Sequence, residues 1–318
     1  MKKKNIVLIA GAGNIAFYYF LAINSLNLPI TIYVYDINKN SLDIFKKKII
    51  SIKIKPHINI YFINKLEKKR FRSNRVDLAI ISSVAKNRYL LIIKIYSILK
   101  VKNLIIEKIV EQSSYKLKVL KNFFLRKKNI YVSHGRRCSN FYKYIKKINL
   151  KKIIFFAQGD NWGLACNGMH MLDTILWLTN DKIKFVRTDK LKKWFNAKRH
   201  GFEEVDGKIS FYFRKGSELH LSCDKDLKEK IEFFSESDHW QIIGHETILL
   251  KNKKKVLKKN KITLSNIMSI EINKILLNKR SNLPQFTQVY KNYDIYIRSF
   301  LKHRNKFFNK KDKNLPIT

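Results

Sequence analysis

The first part of the chain alternates short apolar runs with longer amphipathic stretches. Six apolar runs predict strands, over residues 5–10, 30–35, 58–63, 76–82, 103–107 and 129–133. Four stretches with apolar positions at helical spacing predict helices between them, over residues 14–26, 40–50, 86–100 and 113–127. Because strands that alternate with helices form parallel sheets, this part predicts an α/β fold with a doubly wound parallel sheet.

From about residue 140 the pattern changes, and apolar residues alternate with polar residues at a period of two. The alternation predicts a hairpin over 208–222 that turns at Arg214–Ser217, followed by strands over 231–234 and 240–244. We also expect helices over 163–178, 264–279 and 284–304, a basic loop or edge over 251–261, and a frayed tail over 303–318. This part therefore predicts an α+β region with an open, mainly antiparallel sheet, and the two patterns divide the chain into domains 1–126 and 127–318.

A glycine-rich turn follows the first predicted strand. Gly11 lets the chain turn sharply, Gly13 lets backbone approach a pyrophosphate, and Ala16 lets the helix pack close to the strand. The first turn of that helix offers N–H groups and a positive dipole end to phosphates, and Asp36 at the end of the second strand can accept hydrogen bonds from ribose hydroxyls. The arrangement predicts a Rossmann-type dinucleotide-binding βαβ unit, with the candidate cofactor-binding residues Gly11, Gly13, Asn14, Ile15, Ala16 and Asp36.

The same segment has a second interpretation as a membrane anchor. Met1–Lys4 is a basic flank, and a mostly apolar stretch runs from there to Ile23. Asn5, Asn14 and several small residues weaken the hydropathy, and the stretch breaks where a strand-to-helix turn belongs. We therefore favour the nucleotide-binding interpretation and expect no membrane span.

The strand predicted over 76–82 ends in Ser82, and Ser83 follows it directly. Ligands bind at the carboxyl ends of strands in sheets of this kind, so Ser82 and Ser83 are candidate cofactor-binding residues. The alternative is that they cap the helix that follows.

The formal net charge of +42 over 318 residues first suggests a nucleic-acid or anionic-membrane partner. The lysines are scattered along the whole chain rather than gathered in one stripe. Lys, Ile, Asn, Phe and Tyr are abundant while Gly (10) and Pro (4) are scarce, which is typical of an AT-rich genome. We therefore favour a compositional origin for the charge and expect no specific nucleic-acid partner.

Cysteine and histidine spacing argues against a metal site or a disulfide framework. Cys138, Cys166 and Cys223 are odd in number, widely spaced and without a CxxC pair. His239 and His245 lack a ligand spacing with cysteines or acids. We expect no metal and a reducing, cytoplasmic location.

Two further segments carry a family resemblance. Leu104–Lys108 is a strand that ends in Glu-Lys directly before a helix, and Trp162–Asp173 has the spacing Gly-x-His-x-x-Asp at Gly168, His170 and Asp173. Together with the glycine turn, these segments resemble the glucose–fructose oxidoreductase, inositol dehydrogenase and MocA family over most of the chain.

The resemblance implies an NAD(P)-dependent oxidoreductase that transfers a hydride between nicotinamide and a sugar, cyclitol or nucleotide sugar. It places Lys108 near nicotinamide and substrate, with Glu107 beside it at the cofactor, and makes His170 a general acid/base or an orienter of the reacting hydroxyl. Asp173 then orients the imidazole or serves helix electrostatics. Asp36 favours NAD over NADP, although Lys39 and the positive charge leave NADP open. Surface-polysaccharide biosynthesis is the expected pathway.

The sequence also departs from the family pattern at two positions. Ile109 stands where the family has proline after Glu-Lys, and Cys166 stands where it often has an aspartate. Candidate substrate contacts are Arg136, Arg137, Trp162, Cys166 and Asn167.

These departures leave a second hypothesis open, a redox-inactive family member that binds nucleotide as a binding or scaffold protein. The charge leaves a third, a nucleic-acid-binding protein. Because the open sheets of the family pair face to face, a homo-oligomer, either a dimer or a tetramer, is expected through an apolar face over 205–245.

Overall fold

The computed structural model describes residues 4–71, 74–261 and 263–318. The chain forms two compact units, each built from separate segments. The first unit comprises the chain up to residue 111 together with 115–135 and 263–288, and the second comprises 112–114, 136–262 and 289–318. The domain division after residue 126 stays a prediction.

The secondary structure of the described residues alternates as expected in the first part and is richer in strands later. The helices are α1 (Asn14–Asn24), α2 (Lys39–Ile50), α3 (Arg88–Ile98), α4 (Ser114–Phe123), α5 (Asn140–Ile148), α6 (Leu164–Thr179), α7 (Leu264–Leu276) and α8 (Phe286–Phe307). The strands up to the middle of the chain are β1 (Asn5–Ala10), β2 (Ile30–Tyr35), β3 (Ile58–Ile63), β4 (Arg75–Val76), β5 (Leu78–Ile81), β6 (Lys100–Val101), β7 (Leu104–Ile106), β8 (Ile130–Val132) and β9 (Ile154–Gly159). The later strands are β10 (Ile183–Arg187), β11 (Leu191–Asn196), β12 (Glu203–Phe213), β13 (Glu218–Cys223), β14 (Lys230–Ser235), β15 (Asp238–Ile243), β16 (Ile248–Lys251) and β17 (Lys254–Lys258).

A parallel six-stranded sheet in the order β3-β2-β1-β5-β7-β8 forms the centre of the first unit. Its central strands are apolar along their length, and Val7–Ala10 and Leu78–Ile81 are fully buried because helices cover both faces of such a sheet. The strand order reverses direction beside β1, which is where ligands bind in doubly wound sheets. The predicted Rossmann-type sheet is thereby confirmed.

A nine-stranded sheet forms the centre of the second unit, in the order β10-β12-β13-β9-β14-β15-β16-β17 with β11 on β12. All its pairs are antiparallel except β13 with β9. Alternate residues such as Phe155 and Leu221 are buried, and α6 packs on β12 and β13. The predicted hairpin is present, and the α+β region with a mainly antiparallel sheet is confirmed.

The structure decides between two pairs of alternatives that the sequence left open, and it corrects one expectation. The signal-anchor alternative is wrong, because residues 5–10 form β1 and the chain turns into α1, although its basic flank at residues 1–3 lies outside the described residues. No helix in the described part of the chain combines the length and the apolarity that a bilayer span requires. The loop alternative for 251–261 is also wrong, since Leu249 is buried and pairs with Leu257, so that β16 and β17 form a hairpin at the edge of the sheet.

The expected frayed tail over 303–318 is wrong. The helix α8 continues to Phe307, and Leu315 and Ile317 beyond it are fully buried. The N–H of Leu315 donates to the carbonyl of Gln112 (2.8 Å), and the carbonyl of Pro316 accepts from Glu203 (2.7 Å). The lysine- and asparagine-rich composition concealed two apolar residues whose burial fixes the segment.

Candidate active site

The backbone of the turn after β1 requires a glycine at position 11. Gly11 has φ = +109°, a conformation that L side chains rarely adopt, and an added Cβ would lie 2.5 Å from the backbone nitrogen of Ser83. Its N–H donates to the carbonyl of Tyr35 at the end of β2 (2.8 Å). Gly11 therefore holds the ends of β1, β2 and β5 in close contact.

The start of α1 is accessible to a ligand. Gly13 is the N-cap residue, and a Cβ added there would meet no atom within 4 Å. Among the described residues no side chain caps the helix, so the N–H groups of its first turn are available to an anion. Asn14 is exposed, Ile15 is half-buried and Ala16 is fully buried under the helix.

Asp36 is attached to the glycine turn. One carboxylate oxygen accepts from the N–H of Ala12 (2.8 Å), and the other accepts from the N–H of Asn38 (2.9 Å). The side chain is half-buried. Since a carboxylate can accept about four hydrogen bonds, Asp36 retains acceptor capacity for hydroxyl groups.

Ser82 and Ser83 lie beside Gly11 rather than at a helix cap. The Ser82 hydroxyl lies 2.8 Å from the carbonyl of Gly11, and the buried Ser83 hydroxyl has no hydrogen-bond partner among the described residues. The N-cap of α3 is Asn87, and the N–H of Tyr89 in its first turn donates to the carboxylate of Glu111 (3.0 Å). The helix-capping alternative for the two serines is therefore wrong.

Glu107 and Lys108 follow β7, and their side chains have different environments. The carboxylate of Glu107 is buried and accepts from the hydroxyl of Tyr19 (2.5 Å), which lies 2.9 Å from the hydroxyl of Ser133. Burial, together with the negative charge of Glu107, raises the pKa of Tyr19. Lys108 is half-buried, and the peptide bond between Lys108 and Ile109 is cis.

The predicted residues around His170 belong to the second unit, where the start of α6 is held by a carboxylate. Glu204 accepts from the N–H groups of Ala165 (2.8 Å) and Cys166 (3.1 Å). The Trp162 indole donates to the carbonyl of Ser222 (2.8 Å), and the Asn167 side chain donates to the carbonyl of Trp162 (2.6 Å). These bonds order the loop that leads into α6.

A cavity of about 300 Å³ lies beside this helix. Trp162, Asn167 and the half-buried His170 line it from α6 and its preceding loop. Met171 of α6 also lines it, and the other lining residues come from strands, turns and loops of the same unit: Arg136, Ala157, Gln158, Gly159, Asp160, Glu229, Ile231 and Glu246.

Both predicted arginines are bound to protein carboxylates. Arg136 contacts Glu246 (2.6 Å), and although burial alone would lower its pKa, the charge of Glu246 outweighs burial and the pKa is raised. Arg137 donates to both oxygens of the fully buried Asp173 (2.5 and 2.6 Å). Within the second unit, Arg137 and Asp173 thus attach residues 136–138 to α6, and both oxygens of this aspartate accept from Arg137.

Cys166 is not among the residues that line the cavity, and its thiol contacts the carbonyl of Thr318.

In the first unit the structure brings the glycine turn, Asp36 and the serines together at the carboxyl end of β1. In the second unit it brings Trp162, Asn167, His170 and Arg136 into one cavity. Glu204 and Glu246 were not predicted as site residues. No sequence motif marks them, because Glu204 bonds the start of α6 and Glu246 bonds Arg136, and both partners are distant in the chain.

Within residues 4–71, 74–261 and 263–318, no three or more His, Cys, Asp or Glu side chains are grouped so that they could hold a metal ion.

Comparison with known proteins identifies the fold. No protein-family model matches the sequence, and no curated protein matches it significantly. Among solved structures, UDP-N-acetylglucosamine 3-dehydrogenase of Acidithiobacillus ferrooxidans is similar with a TM-score of 0.69 at 12% identity, covering 96% of this chain and 99% of that one. Myo-inositol dehydrogenase of Lactobacillus casei, solved with NAD(H) and myo-inositol, gives a TM-score of 0.66 at 13% identity over 98% and 96% of the two chains.

A third similar structure is a regulator. The transcriptional regulator Gal80p of Kluyveromyces lactis gives a TM-score of 0.67 at 14% identity over 98% of this chain and 94% of that one. At these identities the likeness establishes the fold, which is that of the glucose–fructose oxidoreductase, inositol dehydrogenase and MocA type of dehydrogenase. The predicted resemblance is confirmed at that level.

Proposed function

We propose that the protein is an NAD(P)-dependent oxidoreductase that transfers a hydride between nicotinamide and a hydroxyl- or keto-bearing carbon of a sugar, cyclitol or nucleotide sugar. The observation that carries the proposal is the turn at Gly11–Gly13, with its uncapped helix start and with Asp36 bonded to Ala12. The likeness to dehydrogenases, one of them solved with NAD(H), supports the same conclusion. The pathway in surface-polysaccharide biosynthesis stays a prediction.

The residues of the first unit fit a dinucleotide. The open space at Gly13 and the N–H groups at the start of α1 suit a pyrophosphate, and the remaining lone pairs of Asp36 suit ribose hydroxyls. A carboxylate at this position repels a 2′-phosphate, which favours NAD, while the exposed Lys39 leaves NADP possible. When bound, the cofactor supplies the hydride acceptor or donor.

The cavity of the second unit suits a polyhydroxylated ring, and its carboxylates Asp160 and Glu229 disfavour an anionic group inside it. Trp162 offers an apolar surface for a ring, and Asn167 and His170 offer hydrogen-bonding groups. Arg136 is neutralised by Glu246 and therefore gives the cavity no uncompensated positive charge. In the proposed reaction His170 exchanges the hydroxyl proton, and Lys108 stabilises negative charge on the substrate oxygen.

The test separates cofactor binding from turnover. Fluorescence titration with NADH is expected to show binding by the wild type and by Lys108→Ala. A panel of neutral sugars, cyclitols and UDP-sugars, followed at the nicotinamide absorbance band, is expected to give turnover that Lys108→Ala reduces by about a hundredfold or more. Lys100→Ala, which removes an exposed lysine of β6, is the matched control and is expected to behave as wild type. A folded protein without dinucleotide affinity contradicts the proposal.

A second candidate function is that of a redox-inactive nucleotide-binding protein. It is supported by the likeness to Gal80p and by Cys166, whose thiol contacts a backbone carbonyl where the family often has a carboxylate. NADH binding without hydride transfer to or from any compound of the panel favours this candidate.

The partner that we propose is a second copy of the chain, bound through the sheet of the second unit. Leu221 contacts α6, so the alternate residues of the sheet face the other way. On that outer face six aromatic rings follow one another across six strands, and we name them the ring row: Phe185, Tyr212, His220, Phe156, Phe234 and His239.

The charges around the ring row suit pairing with an identical face. Arg187 lies over Tyr212 (5.4 Å) and Lys208 over Phe156 (5.8 Å), while Glu218 and Glu232 lie on the same face. A face that carries both signs is complementary to its own copy related by a two-fold axis, whereas its carboxylates repel a polyanion.

A further inference from the structure

A buried arginine begins the helix α3. Arg88 is 2% exposed, and its guanidinium donates to three backbone carbonyls. One terminal nitrogen bonds the carbonyls of Glu107 and Ile109, and the other bonds the carbonyl of Ser83. The side chain therefore connects the segment after β5 with the segment after β7.

Two of the three carbonyls flank one functional residue. Glu107 and Ile109 are the immediate neighbours of Lys108, so Arg88 holds the backbone on both sides of that lysine. Five N–H donors on a rigid planar group allow Arg88 to hold several acceptors at once, which a lysine ammonium does less well.

The connection is made in both directions. Arg88 reaches from α3 to residues 107–109, and the carboxylate of Glu111 reaches back to the N–H of Tyr89 in the first turn of α3 (3.0 Å). Glu111 is fully buried. The turn that carries Lys108 is consequently fixed to a helix by two buried charged side chains, although Ile109 lacks the ring that stiffens proline.

We propose that Arg88 is a positioning residue that fixes the Lys108 turn and so directs the lysine side chain. The catalytic use of Lys108 is taken from the proposed function, whereas the fixing of its turn by Arg88 does not depend on that function. Without the guanidinium the three carbonyls lose their donor, and the turn gains alternative conformations. Because a displacement of about 1 Å at a catalytic group can reduce a rate a hundredfold, the loss reaches the chemistry without any contact between Arg88 and a substrate.

The first test needs neither cofactor nor substrate. Hydrogen exchange followed by mass spectrometry compares wild type, Arg88→Gln and Arg88→Lys, with Lys94→Gln as a control that removes an exposed charge from the same helix. We expect peptides spanning 104–112 to exchange roughly tenfold faster in Arg88→Gln, with Arg88→Lys intermediate. Peptides of β1 and α1 are expected to be unchanged. Equal exchange over 104–112 in all four proteins overturns the proposal.

The second test uses chemical rescue. Arg88→Ala is expected to bind NADH as wild type does and to lose about a hundredfold in kcat with little change in KM. Millimolar methylguanidinium is expected to restore both kcat and the slow exchange of 104–112, whereas it does not restore the turnover that Lys108→Ala loses. If Arg88→Ala does not fold, Arg88→Lys serves for the same kcat and KM comparison.

The two proposals fail in different ways. A wild type without dinucleotide binding contradicts the proposed function and leaves the exchange result standing. Slow exchange over 104–112 in a folded Arg88→Gln, or an unchanged kcat, contradicts the positioning role and leaves the oxidoreductase proposal standing.

Discussion

Buried carboxylates act as structural ligands for backbone and side-chain donors in this lysine-rich chain. Glu271 of α7 is fully buried and accepts from Lys274 (2.8 Å), from the hydroxyl of Ser281 (2.8 Å) and from the backbone N–H of Asn282 (2.6 Å). Burial alone would raise the pKa of Glu271, but these hydrogen bonds outweigh burial and lower it. The ionised form of Glu271 therefore fixes the end of α7 to the segment after it.

This carboxylate predicts a loss of stability in acid. A group whose pKa is lower in the folded state contributes stability above its unfolded pKa, about 4.3 for glutamate, and loses it as pH falls through the folded value. Glu271→Gln is expected to lower the free energy of unfolding by about 2 kcal/mol at pH 7. Below pH 5 the unfolding free energy of this variant is expected to fall less steeply with pH than that of the wild type. Urea denaturation at pH 7, 5 and 4 measures both quantities. Glu67→Gln, a surface variant, is the control, and equal pH slopes in wild type and Glu271→Gln contradict the argument.

At the residue scale, predictability depends on the distance in sequence between partners. Gly11 could be predicted because its conformational requirement arises from the strand and turn beside it. The roles of Arg88 and Glu271 could not, because the first depends on carbonyls about twenty residues later and the second on a turn ten residues later. Among 66 lysines and arginines, one arginine carries no signal of its own.

At the scale of elements, α6 and α8 are in close contact at a glycine. A Cβ added to Gly168 would lie 2.7 Å from the Tyr296 hydroxyl and 3.0 Å from a methyl of Leu221. That hydroxyl lies 3.0 Å from the carbonyls of Leu164 and Ala165 and so bonds the first turn of α6. The glycine two residues before His170 is therefore a packing requirement of this helix pair.

The contact predicts a measurable coupling. Gly168→Ala is expected to lose about 2 kcal/mol of unfolding free energy, although alanine favours a helix by about 1 kcal/mol. Tyr296→Phe is expected to lose about 1 kcal/mol. Since Tyr296→Phe removes the atom nearest the new Cβ, the double variant is expected to be more stable than the sum of the single losses by about 1 kcal/mol. Gly135→Ala is the control for the denaturation series, because its added Cβ would lie no closer than 3.8 Å to another atom. Strictly additive losses in the double variant would contradict the proposed contact.

Elements were predicted well where the hydrophobic period was strong. The six strands of the parallel sheet and the hairpin β12–β13 agree with their apolar patterns. The strands β10 and β11 were missed because charged residues occupy most of their exposed positions, and only their pairing with β12 makes them strands. The tail after α8 was missed for the same reason, since its order comes from tertiary contacts of Leu315 and Ile317.

At the scale of the whole molecule, the net charge of +42 does not exclude negative groups from the outer face of the second unit. That face places Glu218 and Glu232 among Arg187, Lys208 and Lys230, and it exposes aromatic surface between them. Phe185 is 42% and Phe234 is 40% exposed, which leaves apolar area that a partner can bury.

The ring row predicts a dimer in solution. Sedimentation velocity at tens of micromolar is expected to give twice the chain mass of 37.9 kDa. Phe234→Lys places an ammonium among the rings of the opposing copy, where burial of a charge is costly, and is expected to weaken the dimer by roughly a hundredfold or more. Tyr115→Lys changes an aromatic residue that is 72% exposed on α4 and is expected to leave the dimer intact. A monomeric wild type, or equal dissociation constants for the two variants, would show that the ring row does not bind a second copy.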